Sequence, residues 1–430
     1  MTTDATKPEG QPAQGSFRAY YALGALVLGI VTGILAGSLA PATREAALAV
    51  ASFVGTLWLN ALKMTVIPLV VALLVVGIAK SAEAARGGRI AGTSVLWIVI
   101  MCTASAIFGT LAMVLLTHLF PLPHSTAEAL RGALSGVEQK TSAPLPGVAE
   151  FFKGIVPPNV FAAASNGDVL PLVIFTLLFA LALTRISEAA RRVVVSLFEA
   201  FADALLVIIR WVLWLAPLGV LALAFTVGSE AGGAAFTGLA HYVILVSTVG
   251  ILWMIVGAYP LGIIGGAISP GLFMKGMVGP QTVAISTRSS LASLPAMLTA
   301  SRTLGIRPMV ADVALPMAVA LFRSTGPAMN VAVALYVAHW LGLHPTLGQM
   351  IAATAVGAVM SYGAVSLPGE ITYISSIAPI ALALGVPIAP LGLLVAVEMI
   401  PDIFRTVGNV THDVALASIV DRKSGSSPAS

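Results

Sequence analysis

The sequence predicts an all-α membrane protein of many spans. Three observations carry that prediction: too few charges for a water-facing surface, apolar runs of membrane length repeated along the chain, and cations gathered in alternate loops. Of 430 residues, 58% are hydrophobic and only 9% charged, and the mean hydropathy is +0.98. A soluble domain carries about 25% charged residues, so the bilayer must act as solvent for this chain. A helical span needs roughly 20 predominantly apolar residues, and such runs recur from residue 19 almost to residue 420.

Taken in order, the runs predict spans at 19–40, 50–79, 90–118, 168–186, 193–227 and 236–268. Tyr20 to Ala40 is too long for a signal-peptide core and follows an acidic, polar tail, so it reads as a retained first span. The polar stretch 119–150, with its Pro, Gly and Ser residues, is expected to be an external loop. Short cytoplasmic tails, 1–18 and 421–430, flank a single membrane domain at 19–420.

The net charge of +4 and pI near 9.3 do not mark a nucleic-acid binder. Lys80, Arg86 and Arg89 share one short loop, and Arg185, Arg191 and Arg192 share another. Arg302, Arg307, Arg422 and Lys423 fall on the same side, while the opposite side has Arg44 and, in 119–153, Arg131, Lys140 and Lys153. This is the positive-inside distribution, and it predicts a plasma (inner) membrane protein with both termini in the cytoplasm. The single cysteine, Cys102, excludes an internal disulfide.

Beyond Gly265 the apolar sequence is repeatedly broken by Gly, Pro, Ser and Thr. Breaks free backbone groups that hydrocarbon cannot satisfy, so they belong where protein or a wet cavity surrounds them. Two breaks look like counterparts: Ser286 to Pro295 (STRSSLASLP) and Ser361 to Gly369 (SYGAVSLPG). Each has about 15 apolar residues on either side, too few to span, and each reads as a re-entrant helical hairpin with its tip at mid-membrane. Paired interruptions of this kind point to a transporter binding site; two kinked ordinary spans are the plainer alternative.

The last apolar helix carries Glu398, Asp402, Arg405, Asn409 and Asp413, spaced 4, 3, 4 and 4 apart. That spacing lines all five along one helix face. Charges at bilayer depth are costly and face a bundle interior or a wet cavity. A self-neutralising Asp402–Arg405 pair would account for two of them but leaves Glu398 and Asp413 unpartnered. A planar guanidinium at Arg405 suits a substrate carboxylate. Asp402 suits an ammonium, and hydroxyls and amides at the hairpin tips suit a second carboxylate. An amino dicarboxylate or a plain dicarboxylate fits this set.

From about residue 19 to 420 the chain resembles the dicarboxylate/amino acid:cation symporter family, the glutamate-transporter fold. The resemblance is carried, in order, by LKMTVIPL at 62–69, IVPPNVFAAASNGDVL at 155–170, APLGVLAL at 216–223, the serine-bearing tip at 286–295 and the last-helix motif. It implies eight transmembrane helices plus two re-entrant hairpins, assembled as a homotrimer. An elevator-like transport part (about 90–118 and 236–420) would move against a scaffold (about 19–80 and 168–227). Matching substrate positions are Ser289 and Ser290, the second tip from Gly363 through Pro368 to Gly369, and Asp402, Arg405, Thr406 and Asn409. An arginine at the Arg405 position implies an acidic substrate, and Arg288 matches an arginine of prokaryotic members. No cofactor is implied.

Sodium-coupled members carry Asn-Met-Asp-Gly-Thr in the seventh span. This chain has Ser324 to Tyr336 (STGPAMNVAVALY) there, so the aspartate becomes Val331 or Ala332 and the threonine Val333 or Ala334. A Thr-Ser pair of the third span becomes Met101 and Cys102. Sodium requires oxygen ligands, and Asp413 with Asn409 cannot enclose it alone. The expectation is sodium-independent, proton-coupled transport. Glu398 and Glu370 are the proton-carrier candidates, Asp413 and Asn330 further coupling candidates, and Arg323 a tethered replacement for a bound cation, partnered by Glu370 or Asp413. An uncoupled carrier, an anion channel and a transporter turned sensor are the alternatives. Intramembrane proteolysis through Ser289 or Ser290 lacks an evident His or Lys partner, and the histidines have no zinc-motif spacing.

Overall fold

The computed structural model describes residues 14–85, 88–133, 156–166, 168–362 and 369–425, and every regular element among them is helical. Helix α1 (Gln14–Ala36) is followed by α2 (Pro41–Ala85), 45 residues long with Pro68 inside it, and by α3 (Arg89–Leu119). Among the described residues four helical segments are long and apolar enough to cross a membrane: α2, α3, Ala234–Gly265 and Pro308–Leu341. A fifth crossing is formed if the bent pair Glu188–Trp214 and Ala216–Ala231 counts as one span.

Several elements differ from the sequence expectation for local reasons. The stretch 119–150 contains a helix, α4 (His124–Ala133). The short α5 (Val160–Asn166) precedes α6 (Val169–Leu183). The run expected as one span at 193–227 is two helices, α7 (Glu188–Trp214) and α8 (Ala216–Ala231), meeting at 55°. Pro217, in the first turn of α8, supplies no N–H and its ring crowds the preceding turn. Helix α9 (Ala234–Trp253) runs on into two π-helical turns, Met254–Ala258 and Leu261–Gly265, on either side of Pro260.

Helices α10 (Pro270–Thr287) and α11 (Ser290–Thr303) form the first hairpin. Its break is narrower than the sequence suggests, confined to Arg288, in the left-handed region at φ 50°, and Ser289. Ser289 is the N-cap of α11, its hydroxyl accepting from the Ala292 N–H at 3.2 Å, which lets the helix restart at once. Helices α12 (Pro308–Leu321) and α13 (Thr325–Leu341) form a span broken at 322–324. The arms of the second hairpin are α14 (Leu347–Ser361), opened by a Thr346–Gln349 capping box, and α15 (Gly369–Ala383). Its tip, with Gly363 and Pro368, lies outside the described residues, as does the side chain of Glu370. A short α16 (Ala389–Leu394) precedes α17 (Met399–Gly425), which carries the helix five residues past the expected end of the membrane domain.

Two sets of helices pack within themselves. Helix α2 lies against α6, α7 and α8, and α8 against α1. The α1–α8 seam is close enough that a Cβ on Gly33 would lie 2.3 Å from the Phe225 carbonyl oxygen, and one on Gly228 2.4 Å from that of Ile30. Small residues allow such backbone approach where apolar burial gives no drive between helices. In the second set α17 is enclosed by α3, α9, α10, α11, α12 and α13. Outward faces stay apolar, as at Phe53, Leu57, Val193, Leu197, Trp211 and Trp214, which suits a lipid solvent.

Candidate functional site

Enclosure of α17 turns its polar stripe inward. Glu398, Asp402, Arg405, Thr406, Asn409 and Asp413 are all buried, none more than 8% exposed. An ionised side chain held there is retained only with partners. Arg405 Nη1 bonds Glu398 Oε1, seven residues back and two turns down the same face, and lies 3.4 Å from Asp402 Oδ1. Glu398 therefore has the partner that the sequence left unassigned. Its other oxygen accepts from the Tyr242 hydroxyl at 3.1 Å, and Tyr242 is 3.0 Å from the Tyr373 hydroxyl.

The first hairpin delivers its tip to the same place. Arg288 Nη1 stands 3.8 Å from Asp402 Oδ2, so both oxygens of Asp402 face a guanidinium. Ser289 and Ser290 are half-buried at this tip. Arg405 Nε and Nη2 have no hydrogen-bond partner among the described residues although both are buried. Arg405 lines a small, partly open recess with Arg323, Asn330, Ser361, Tyr373 and Ser376. Unpaired guanidinium N–H groups are ready donors to a carboxylate.

The break between α12 and α13 forms the floor. Ser105 of α3 donates to the Ser324 carbonyl and accepts from the Ala328 N–H at 3.0 Å. Trp253 Nε1 donates to Ser324 Oγ at 3.0 Å, and Asn409 Oδ1 accepts from the Thr325 N–H at 2.9 Å. The freed backbone groups thus find protein partners, as membrane depth requires. Asn409 is in part the cap of a neighbouring helix, while Thr406 returns its hydroxyl to the Asp402 carbonyl at 2.8 Å.

Asp413 is fully buried, and neither carboxylate oxygen has a hydrogen-bond partner among the described residues. Arg323 is within electrostatic range of both Asp413 and Asp402 but makes no direct ion pair among the described residues. Val331, Ala332, Val333 and Ala334 are fully buried. His412, next to Asp413, is buried against Trp253 with ring centroids 5.5 Å apart. The described residues hold no group of three or more His, Cys, Asp or Glu side chains suited to a metal ion. The residues that sequence reasoning missed are Ser105, Tyr242 and Tyr373.

A family model described as the sodium:dicarboxylate symporter family matches residues 20–423. Among similar proteins is the proton/sodium-glutamate symport protein of Bacillus subtilis (strain 168), 30% identical over 380 residues, 86% of this chain and 85% of that protein. The proton/glutamate-aspartate symporter of Escherichia coli (strain K12) is 26% identical, covering 94% and 92%. The C4-dicarboxylate transport protein 2 of Ralstonia nicotianae is 26% identical, covering 92% and 86%. The protein is thus a membrane transporter and not an enzyme, and the chain belongs to the sodium:dicarboxylate symporter family.

Proposed function

We propose that this protein is a secondary active symporter for acidic amino acids or C4-type dicarboxylates, independent of sodium and coupled to protons. The observation that carries the reading is Arg405: buried, held through Nη1 by Glu398 and Asp402, with Nε and Nη2 unpaired among the described residues, and part of the lining of the recess. A carboxylate that reaches this fixed fork can be gripped in two places. Relatives named for glutamate, aspartate and C4-dicarboxylates support the same substrate class. On this reading substrate contacts also come from Ser289 and Ser290, Asp402, Thr406, Asn409 and the second tip, Gly363, Pro368 and Gly369.

Asp402 divides the two substrate classes. Its oxygens face Arg405 and Arg288, so an amino substrate's ammonium shares Asp402 with two guanidinium groups, whereas a plain dicarboxylate makes no demand on it.

Proton coupling is supported by what stands in place of sodium ligands. The buried valines and alanines at 331–334 supply no side-chain oxygen, and neither does Met101 or Cys102. Glu398 is the chief proton carrier on this reading, since its negative charge competes with the substrate for Arg405. Glu370, Asn330 and Asp413 are secondary coupling residues, and Arg323 supplies Asp413 with tethered positive charge. We further assign the family architecture of eight spans and two hairpins. In it α3 and α9–α17 move as an elevator against α1, α2 and α6–α8 in a homotrimer of the plasma membrane with cytoplasmic termini.

Thermal-shift titration of the purified protein with L-aspartate, L-glutamate, succinate and fumarate tests the reading, in sodium and in choline salts at pH 5.5 and 8. The expected result is stabilisation by one of these acids, equal in both salts and larger at pH 5.5. Stabilisation that appears only in sodium would overturn the coupling assignment.

A further inference from the structure

A buried polar chain runs from the recess to Glu398. Tyr373, on the α15 arm of the second hairpin, lines the recess, and its hydroxyl lies 3.0 Å from that of Tyr242 on α9. Tyr242 in turn donates to Glu398 Oε2 at 3.1 Å. A phenol has one hydrogen to give. Since Tyr242 gives its own to the carboxylate, Tyr373 is the donor within the tyrosine pair. Both rings are buried, and Tyr336 packs edge-on against Tyr242 with centroids 5.3 Å apart, fixing that ring. Packing alone needs no hydroxyl here, and a buried hydroxyl is a cost unless it is bonded. The two O–H bonds point the same way, toward Glu398.

We propose that Tyr373 and Tyr242 relay protons between the recess and Glu398. The proposal rests on the reading of Glu398 as proton carrier. In loading, a hydronium in the recess gives its proton to the Tyr373 oxygen, the Tyr373 hydrogen passes to the Tyr242 oxygen, and the Tyr242 hydrogen passes to Glu398 Oε2. Three O–H bonds break and three form. Both tyrosines end neutral, water remains in the recess, and the carboxylate becomes a carboxylic acid. Neutral Glu398 no longer competes for the charge of Arg405, whose Nε and Nη2 take the substrate's carboxylate, so one proton enters with each anion gripped. The groups facing Glu398 are Arg405 and Asp402 from α17, Tyr242 from α9 and Tyr373 from α15. Arg288 of the first hairpin meets this set through Asp402. The Tyr373–Tyr242 bond joins the α15 arm to α9, so the path depends on that one contact.

The test uses the full chain in proteoliposomes, with radiolabelled L-aspartate or succinate, whichever stabilises the protein. Two rates are compared: uptake driven by an inward proton gradient, and counterflow at equal pH. For Tyr242→Phe and Tyr373→Phe the ratio of the first to the second is expected to fall at least tenfold. A wild-type ratio in both variants overturns the relay, as does loss of both rates in equal proportion. Glu398→Gln separates the two levels. If it abolishes proton-driven uptake while the tyrosine variants keep the wild-type ratio, the carrier stands and the relay alone is wrong. If Glu398→Gln itself keeps the wild-type ratio, the carrier reading falls and the relay with it. Site-specific fluorotyrosine at 242 keeps the hydroxyl and the packing while making the phenol more acidic. It is expected to change the proton-driven rate more than twofold relative to counterflow, and no change counts against the relay.

Discussion

Arg405 divides its guanidinium between two duties: Nη1 neutralises Glu398 and Asp402, while Nε and Nη2 have no partner among the described residues. The two duties are separable by substitution. Arg405→Lys keeps a charge for the carboxylates but loses the planar fork, so substrate affinity should fall at least tenfold in a binding titration, with modest loss of thermal stability. Arg405→Ala leaves two buried carboxylates without their main partner, a change that costs about 3–5 kcal/mol and should appear as a large drop in melting temperature in detergent. Asn409→Ala removes the acceptor for the buried Thr325 N–H and should cost about 1–3 kcal/mol, read in the same melt. The inward stripe was legible from the 4, 3, 4, 4 spacing alone, because on a helix spacing fixes the face. Tyr242 and Tyr373 were not. They sit 131 residues apart in ordinary apolar helices, and only packing brings them together.

At the scale of elements, the broken span α12–α13 depends on α3. Ser105 alone serves two backbone groups at the break, and Gly109, one turn along α3, lets the helices touch: a Cβ there would lie 2.2 Å from the Ala328 carbonyl oxygen. Ser105→Ala should therefore destabilise by about 1–3 kcal/mol. Gly109→Leu should go further by forcing α3 away from the break, with loss of both folding yield and uptake. If Gly109→Leu folds and transports normally, the tight α3–α13 seam is not a working part. Breakers in the sequence marked the place where α10 gives way to α11, since Gly, Pro and Ser act through local backbone geometry, whereas the break at 322–324 was not singled out. The bend at Leu215 and the helix at His124–Ala133 were missed. Hydropathy sums over the first without registering a change of direction, and the second is too polar to register as a span at all.

For the whole molecule, the packing of helices into two sets and the enclosure of α17 by one of them give the proposed elevator its division of labour. Replacement of external sodium by choline should leave uptake into proteoliposomes unchanged within twofold, and collapse of the proton gradient with an ionophore should stop accumulation. Accumulation against the gradient also excludes a channel. Family membership was readable from ordered motifs spread over nearly the full length, which is why it rests on no single residue. The proposed coupling to protons has no such redundancy: that reading turns on the few positions at 101–102 and 331–334.

Helix α2 has a mechanical consequence. Its 45 residues extend roughly 67 Å at about 1.5 Å per residue, twice the approximately 30 Å of a hydrocarbon core. It must lean far over or stand well proud of the headgroups, with Pro68 as the point where its course can change. The tilt it can take depends on the thickness of the surrounding bilayer, so acyl-chain length is expected to act as a control on turnover. Vesicles of short-, medium- and long-chain phosphatidylcholine should give different uptake rates from the same protein, with an optimum where the annulus is least deformed.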